Sequence, residues 1–68
     1  VLAIREQAAM ALLNKGVALG QLGRGKDEIA VYDDLLCGFA DSDVPAIREQ
    51  VAKALLNKGV ALGQMGRT

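Results

Sequence analysis

The length, composition and charge of this chain exclude several classes of protein. Its 68 residues form at most one small domain, and eight basic and eight acidic side chains give a net charge of zero, which argues against nucleic acid and anionic membranes as partners. One cysteine and no histidine exclude an intrachain disulfide and a thiol–imidazole zinc site, so no metal or cofactor is expected. The apolar runs are far shorter than the roughly 20 residues of a membrane span, and the cytoplasm is the default compartment.

One segment of the sequence occurs twice. Residues 3–24 (AIREQAAMALLNKGVALGQLGR) return as residues 46–67 (AIREQVAKALLNKGVALGQMGR), at an offset of 43 residues and with 19 of 22 positions identical. Internal periods of roughly 20–50 residues are typical of solenoids, in which each unit has an apolar face that only a neighbouring unit covers. We therefore expect the chain to be a piece of a longer array.

The first copy has the pattern of one continuous helix over residues 3–22. Its apolar residues cover so wide an arc that we expect neighbouring helices on two sides. The helix should end at residues 22–25 (Leu-Gly-Arg-Gly), because glycine takes the left-handed conformation after a helix without steric cost. The predicted main arc consists of Ile4, Ala8, Ala11, Leu12, Leu19 and Leu22, with Ala9, Leu13, Gly16 and Gly20 beside it.

Two further helices are predicted, over residues 26–39 and 45–65. Cys37 lies beside the apolar stripe of the second helix and is expected to be a small buried hydrophobe. Before the third helix, residues 41–43 (Asp-Ser-Asp) are expected to supply polar caps, with Pro45 near the first helical position. The stripe of the second helix consists of Ile29, Tyr32, Leu36 and Phe39.

One lysine in each copy projects into the main apolar arc. The long aliphatic stems of Lys15 and Lys58 can cover apolar surface while the ammonium reaches outward. We expect a structural role for both, with an acid such as Glu28 or Asp34 as the partner.

Leu12, Gly16 and Leu19 lie at the W, G and Y positions of the pattern W-x-x-L-G-x-x-Y, and Tyr32 lies at the F position of A-x-x-x-F. On these positions the chain resembles the tetratricopeptide repeat family. Lys15 and Glu28 depart from the pattern, and the period of 43 exceeds the family's period of about 34. The resemblance implies an all-α, antiparallel A-B-A′ fragment of a tetratricopeptide-like α-solenoid, in which A′ is the second copy of helix A. The implied packing positions are Leu12, Gly16, Leu19 and Tyr32, with Leu55, Gly59 and Leu62 in the second copy.

The resemblance also implies a binding groove. In that family the A helices line a concave surface that holds extended peptides, often with an asparagine bonding the peptide backbone, so Asn14 and Asn57 are the candidates here. The alternative is that the asparagine and glutamine side chains of the two copies form only the polar edge of each helix, or hydrogen-bond one another between A and A′. The implied concave face consists of Gln7, Met10, Asn14, Val17 and Gln21 in the first copy, and Gln50, Lys53, Asn57, Val60 and Gln64 in the second.

The residues argue against an enzyme. The run Gly20-x-x-x-x-Gly25-Lys26 matches most of a phosphate-binding loop, but a helix precedes it where a strand is needed, and Asp27 follows where Ser or Thr holds magnesium. The repeated helices contain no His, Ser or Thr, and adjacent acids in the second helix point about 100° apart on a solvated face.

The expected function is therefore a non-catalytic protein–protein interaction or scaffolding module. Its partners would be other proteins or peptides, and a homo-oligomer could form through repeat stacking or helix exchange. Two alternatives stay open, namely a self-assembling structural repeat whose main role is oligomerisation, and a helical subdomain of a larger enzyme.

Overall fold

The computed structural model describes residues 2–66, the side chain of Leu2 excepted, and these residues form three α-helices. Helix α1 spans Leu2–Gln21, α2 spans Gly25–Phe39 and α3 spans Pro45–Met65. All three helices contact one another in a particle of 41 × 17 × 14 Å. The all-α prediction is confirmed. Helix α1 is continuous, as predicted for the first copy of the repeat.

The helices run antiparallel in sequence order. Gly16 of α1 lies against Tyr32 of α2, and Gly20 lies against Glu28, so the two helices pass in opposite directions. Met65, at the end of α3, lies against Gly25, at the start of α2. Helix α2 is therefore the central element, with α1 and α3 packed against it.

A glycine in the left-handed conformation makes the turn between α1 and α2. Gly23, one of the two glycines in the predicted end of α1, has φ of +77°, and glycine adopts this conformation without the clash that a Cβ would cause. The N–H of Arg24 donates back to the carbonyl of Leu19 at 2.9 Å, which satisfies an otherwise unpaired carbonyl of the last turn. The short turn fixes α2 alongside α1.

The start of α3 differs from the prediction. The residue that caps this helix is Val44, in an extended conformation, and no side chain caps the first turn. Ser42 instead accepts a hydrogen bond from the N–H of Val44 at 3.2 Å, so its hydroxyl orders the link rather than the helix. Pro45 occupies the first turn as expected, where its missing N–H leaves no donor unpaired.

The core is small and centred on α2. Tyr32 and Leu35 of α2 are fully buried and cluster with Leu13 of α1 and Ala54 of α3. The side chains packed around this cluster are Leu12, Leu36, Phe39 and Val51. A core of this size leaves little stability in reserve, since chains of this length rarely exceed about 3–5 kcal/mol.

The two copies of the repeated helix bury opposite sides. Leu13 is 7% exposed in α1, whereas its counterpart Leu56 is 68% exposed in α3. Conversely, Ile47 is 1% exposed in α3, whereas its counterpart Ile4 is 68% exposed in α1. Because α2 lies between the two copies, each copy presents a different side to it. The buried set of α1 is Ala9, Leu13 and Gly16, and that of α3 is Ile47, Ala54 and Ala61.

This arrangement corrects the predicted apolar arc of α1. The side of α1 that faces α2 contains Leu13 and Gly16, which were predicted to lie beside the main arc. The residues of the predicted main arc are themselves exposed or half-buried. Apolar residues surround so much of the helix that periodicity alone does not select the buried side. The exposed members of the predicted arc are Ile4, Ala8, Ala11 and Leu22, and the half-buried ones are Leu12 and Leu19.

The predicted burial of Cys37 is wrong, and the packing positions predicted in the second copy have no partner helix within residues 2–66. The packing positions of the second copy, Leu55, Gly59 and Leu62, are exposed, because within residues 2–66 no helix covers that side of α3. Cys37 is also exposed, since it lies on the side of α2 away from α1 and α3. The corresponding positions of the first copy are buried or half-buried against α2.

Candidate functional site

Two glycines of α1 let α2 approach closely. A Cβ placed on Gly16 would lie 2.8 Å from Cδ1 and 2.9 Å from Cζ of Tyr32, and closer still to Cε1. A Cβ on Gly20 would lie 2.6 Å from a carboxylate oxygen of Glu28. The tyrosine ring therefore fills the space that any larger residue at position 16 would occupy.

The Tyr32 hydroxyl is held by its own helix. It donates a hydrogen bond to Oε2 of Glu28 at 2.8 Å, a pair four residues apart and therefore on one side of the helix. The pKa of Tyr32 is raised from 10.0 to about 12, mainly by burial and then by the hydrogen bond and negative charge of Glu28, while a hydrogen bond with Asn57 acts in the opposite direction. The hydroxyl is thus a neutral donor at physiological pH.

A groove of about 260 Å³ runs between α1 and α3, with Tyr32 and Glu28 among its lining residues. It brings together five residues of the predicted concave face from both copies. These are Val17 and Gln21 of α1 and Asn57, Val60 and Gln64 of α3, and the rest of the lining is Gly20, Glu28, Tyr32 and Ala61.

The other five predicted residues do not line this groove. Asn14 is exposed, whereas its counterpart Asn57 is half-buried beside Tyr32, so the two asparagines do not have equivalent surroundings. Lys53 instead forms an exposed ion pair with Glu49 at 3.5 Å. The predicted residues that lie outside the groove are Gln7, Met10, Asn14, Gln50 and Lys53.

An ion pair joins α3 to α2 next to the groove. Lys58 Nζ lies 2.6 Å from Oδ1 of Asp33, so its partner is neither Glu28 nor Asp34, the acids expected from the sequence. The pair is partly exposed, and such pairs contribute at most about 1 kcal/mol. The equivalent Lys15 is exposed.

Sequence reasoning missed the role of Glu28. From the sequence, Glu28 is a departure from the family pattern and a candidate partner for Lys15 or Lys58, whereas the structure places its carboxylate over Gly20 and on the Tyr32 hydroxyl. The available signal was the spacing of four residues between Glu28 and Tyr32, which puts the two side chains on one side of a helix.

The described part of the chain is thus a three-helix, all-α unit with an internal repeat and an amide-lined groove. Between residues 3 and 66, no cluster of three or more acidic or cysteine side chains could hold a metal ion. Over the same range, no helix has the length and apolar character needed to cross a membrane. In comparisons with known proteins, the chain matches no family model, no curated protein and no solved structure.

The raised pKa of Tyr32 predicts a loss of stability at high pH. In the unfolded chain the hydroxyl ionises near its ordinary value of 10.0, whereas in the folded chain it ionises near 12. Stability is therefore full below about pH 10 and falls by about 2–3 kcal/mol as the pH rises to about 12. Urea denaturation of the parent chain and of Tyr32→Phe across this range measures the difference, and parallel curves for the two chains would contradict the assignment.

Proposed function

We propose that the chain is a non-catalytic protein–protein interaction or scaffolding module of the tetratricopeptide-like kind, and that the groove between α1 and α3 binds an extended segment of another protein. The observation that carries the proposal is the convergence of three amide side chains on one groove. These are Gln21, Asn57 and Gln64. The cytoplasm is the default compartment for such a module.

The groove chemistry suits a peptide backbone. An amide side chain offers both donors and an acceptor, so it can pair with the N–H and C=O groups of an extended segment. Val17 and Val60 add apolar surface on the two sides. Such a groove binds through the backbone and selects side chains only weakly, which suits a scaffold that engages several segments.

The same groove is poorly suited to acid–base catalysis. A general acid or base works best with a pKa near the operating pH, and burial moves the pKa of Tyr32 further from neutrality. Its hydroxyl proton is also committed to Glu28. The polar groups of the groove therefore favour recognition over proton transfer.

A peptide library tests the groove. Random decapeptides displayed on phage are selected on the immobilised chain, and enriched peptides are titrated by fluorescence anisotropy. Asn57→Ala is expected to weaken binding about tenfold, because the peptide loses a bidentate partner worth about 1.4 kcal/mol. Asn14→Ala is the matched control and should bind normally, since Asn14 lies outside the groove.

Two outcomes would contradict the proposal. One is selection that enriches no peptide above an unrelated helical protein. The other is a set of enriched peptides whose affinities are the same for the parent chain and Asn57→Ala.

A second candidate is self-assembly, in which the repeat mainly builds oligomers. The observation that favours it is the exposed apolar side of α3, because contiguous apolar surface on a soluble chain marks an interaction site. The nearly identical copies support it further, since identical units form identical interfaces. The exposed residues are Leu55, Leu56, Val60 and Leu62.

Sedimentation equilibrium at several concentrations tests the second candidate. The weight-average mass is expected to rise with concentration for the parent chain and to stay at the monomer value for Leu56→Glu, which places a charge on the exposed side. A parent chain that remains monomeric throughout would exclude self-assembly as the main role.

A further inference from the structure

The surface of α1 that α2 covers is repeated in sequence on α3, where it is exposed. On α1, the side that contains Gly16 and Gly20 is covered by Tyr32 and Glu28. On α3, the same sequence forms an open groove of about 530 Å³. The lining residues are Leu55, Leu56, Gly59, Val60, Gly63 and Gln64, each identical to its counterpart 43 residues earlier.

We infer that this α3 groove is a docking site for a separate amphipathic helix with the chemistry of α2. The partner helix would place a tyrosine ring against Gly59 and a glutamate, one turn earlier, against Gly63. The inference rests on the proposed function as an interaction module and names one class of partner for it.

The glycines define the shape of the site. A Cβ added at Gly59 or Gly63 would meet nothing within 4 Å, whereas a Cβ at Gly16 would collide with the buried ring of Tyr32. The notch on α3 is therefore present but empty. An aromatic ring is the side chain that this notch holds on α1, and the surroundings of the notch are the same in both helices.

The glutamate of the partner follows from the polar tip of the tyrosine. A buried hydroxyl without a hydrogen-bond acceptor is costly, and in α2 the acceptor is Glu28 on the same helix. A partner that carries its own acceptor four residues earlier brings the hydroxyl already satisfied. Apolar side chains flanking the tyrosine, as Val31 and Leu35 flank Tyr32, would cover Leu55 and Leu56.

Exchange of α2 with a second folded copy of this chain is a poorer way to fill the groove. The α2 of that copy is already held between its own α1 and α3. Transfer of that α2 to another molecule would uncover Leu13 and Gly16 of its own α1, a surface equal in sequence to the one it covers. The exchange therefore gains no net burial, and a helix that is free to bind is favoured.

A peptide with the sequence of residues 25–40 is the direct probe. Labelled at its N-terminus and titrated with the chain, it is expected to show saturable, one-site binding by fluorescence anisotropy. The same peptide with Tyr32→Ala should bind at least about tenfold more weakly. The variant Gly59→Ala should also lose at least about tenfold, because its methyl group occupies the place of the ring.

Matched controls separate this site from the groove between α1 and α3. Gly38→Ala makes the same change at an open helical position away from the docking site and should leave peptide binding unchanged. Asn57 lines the groove between α1 and α3 and does not line the α3 groove, so Asn57→Ala should also bind the helical peptide normally. Decapeptide binding, conversely, should survive Gly59→Ala, so each proposal can fail without the other.

A covalent fusion tests the same site if the free peptide is too unstructured to bind. Residues 25–40 are appended after Thr68, and the midpoint of thermal unfolding is compared with that of the same extension carrying alanine in place of its tyrosine. The tyrosine form should unfold at least about 5 °C higher. Equal midpoints together with no peptide binding, or binding that is equal in Gly59→Ala and the parent chain, would overturn the inference.

Discussion

Leu13→Ala is expected to unfold most of the chain, whereas Leu56→Ala leaves it folded. Leu13 is buried in the cluster with Tyr32, Leu35 and Ala54, and truncating a buried leucine costs about 2–5 kcal/mol. That loss is comparable with the total stability of about 3–5 kcal/mol for a chain of this length. Far-ultraviolet circular dichroism and urea denaturation report the effect as loss of helical signal and of the unfolding transition.

The matched control occupies the same place in the repeat. Leu56 stands in an identical local sequence but is mostly exposed, so its truncation should change stability by no more than about 0.5 kcal/mol. The comparison removes helix propensity as a variable, because the residue type and its immediate neighbours along α1 and α3 are the same. Equal losses for the two variants would show that both copies are covered, contrary to the fold described above.

The second large effect is expected at the paired glycines. Gly16→Ala should destabilise the chain by about 1–3 kcal/mol, because its methyl group overlaps the ring of the fully buried Tyr32. Alanine favours a helix over glycine by about 1 kcal/mol, and the overlap outweighs this gain. The urea midpoint measures the loss.

The control variant should change the stability in the opposite direction. Gly59→Ala meets nothing within 4 Å, so only the helix-propensity gain of up to about 1 kcal/mol remains, and the urea midpoint should rise. A lower midpoint for Gly59→Ala, or a higher one for Gly16→Ala, would contradict the assignment of α2 to the glycine side of α1.

Much of the local structure could be predicted from the sequence. The three helices begin and end within one residue of the predicted bounds, and a glycine of the predicted turn, Gly23, takes the left-handed conformation. These features depend on short-range causes, namely glycine sterics, the missing N–H of Pro45 and apolar spacing along one segment. They do not require knowledge of which helices are neighbours.

The candidate site was only half predictable. The family resemblance indicated Gln21, Asn57 and Gln64, which share one groove, but it gave Asn14 the same role as Asn57. It also missed Glu28, because the hydrogen bond to Tyr32 matters only once α2 rests on the glycines of α1. Local spacing predicts the side of a helix and does not predict what faces it.

The sequence by itself determined that the chain is helical, where the helices end and that one helix is written twice. Only the tertiary structure decided which side of each copy is buried. Leu13 and Leu56 have the same neighbours along the chain and opposite environments, because burial depends on the position of α2 between the two copies. A helix with apolar residues on most sides can bury any of them, and the free energy of burial follows the neighbour that removes water from the surface.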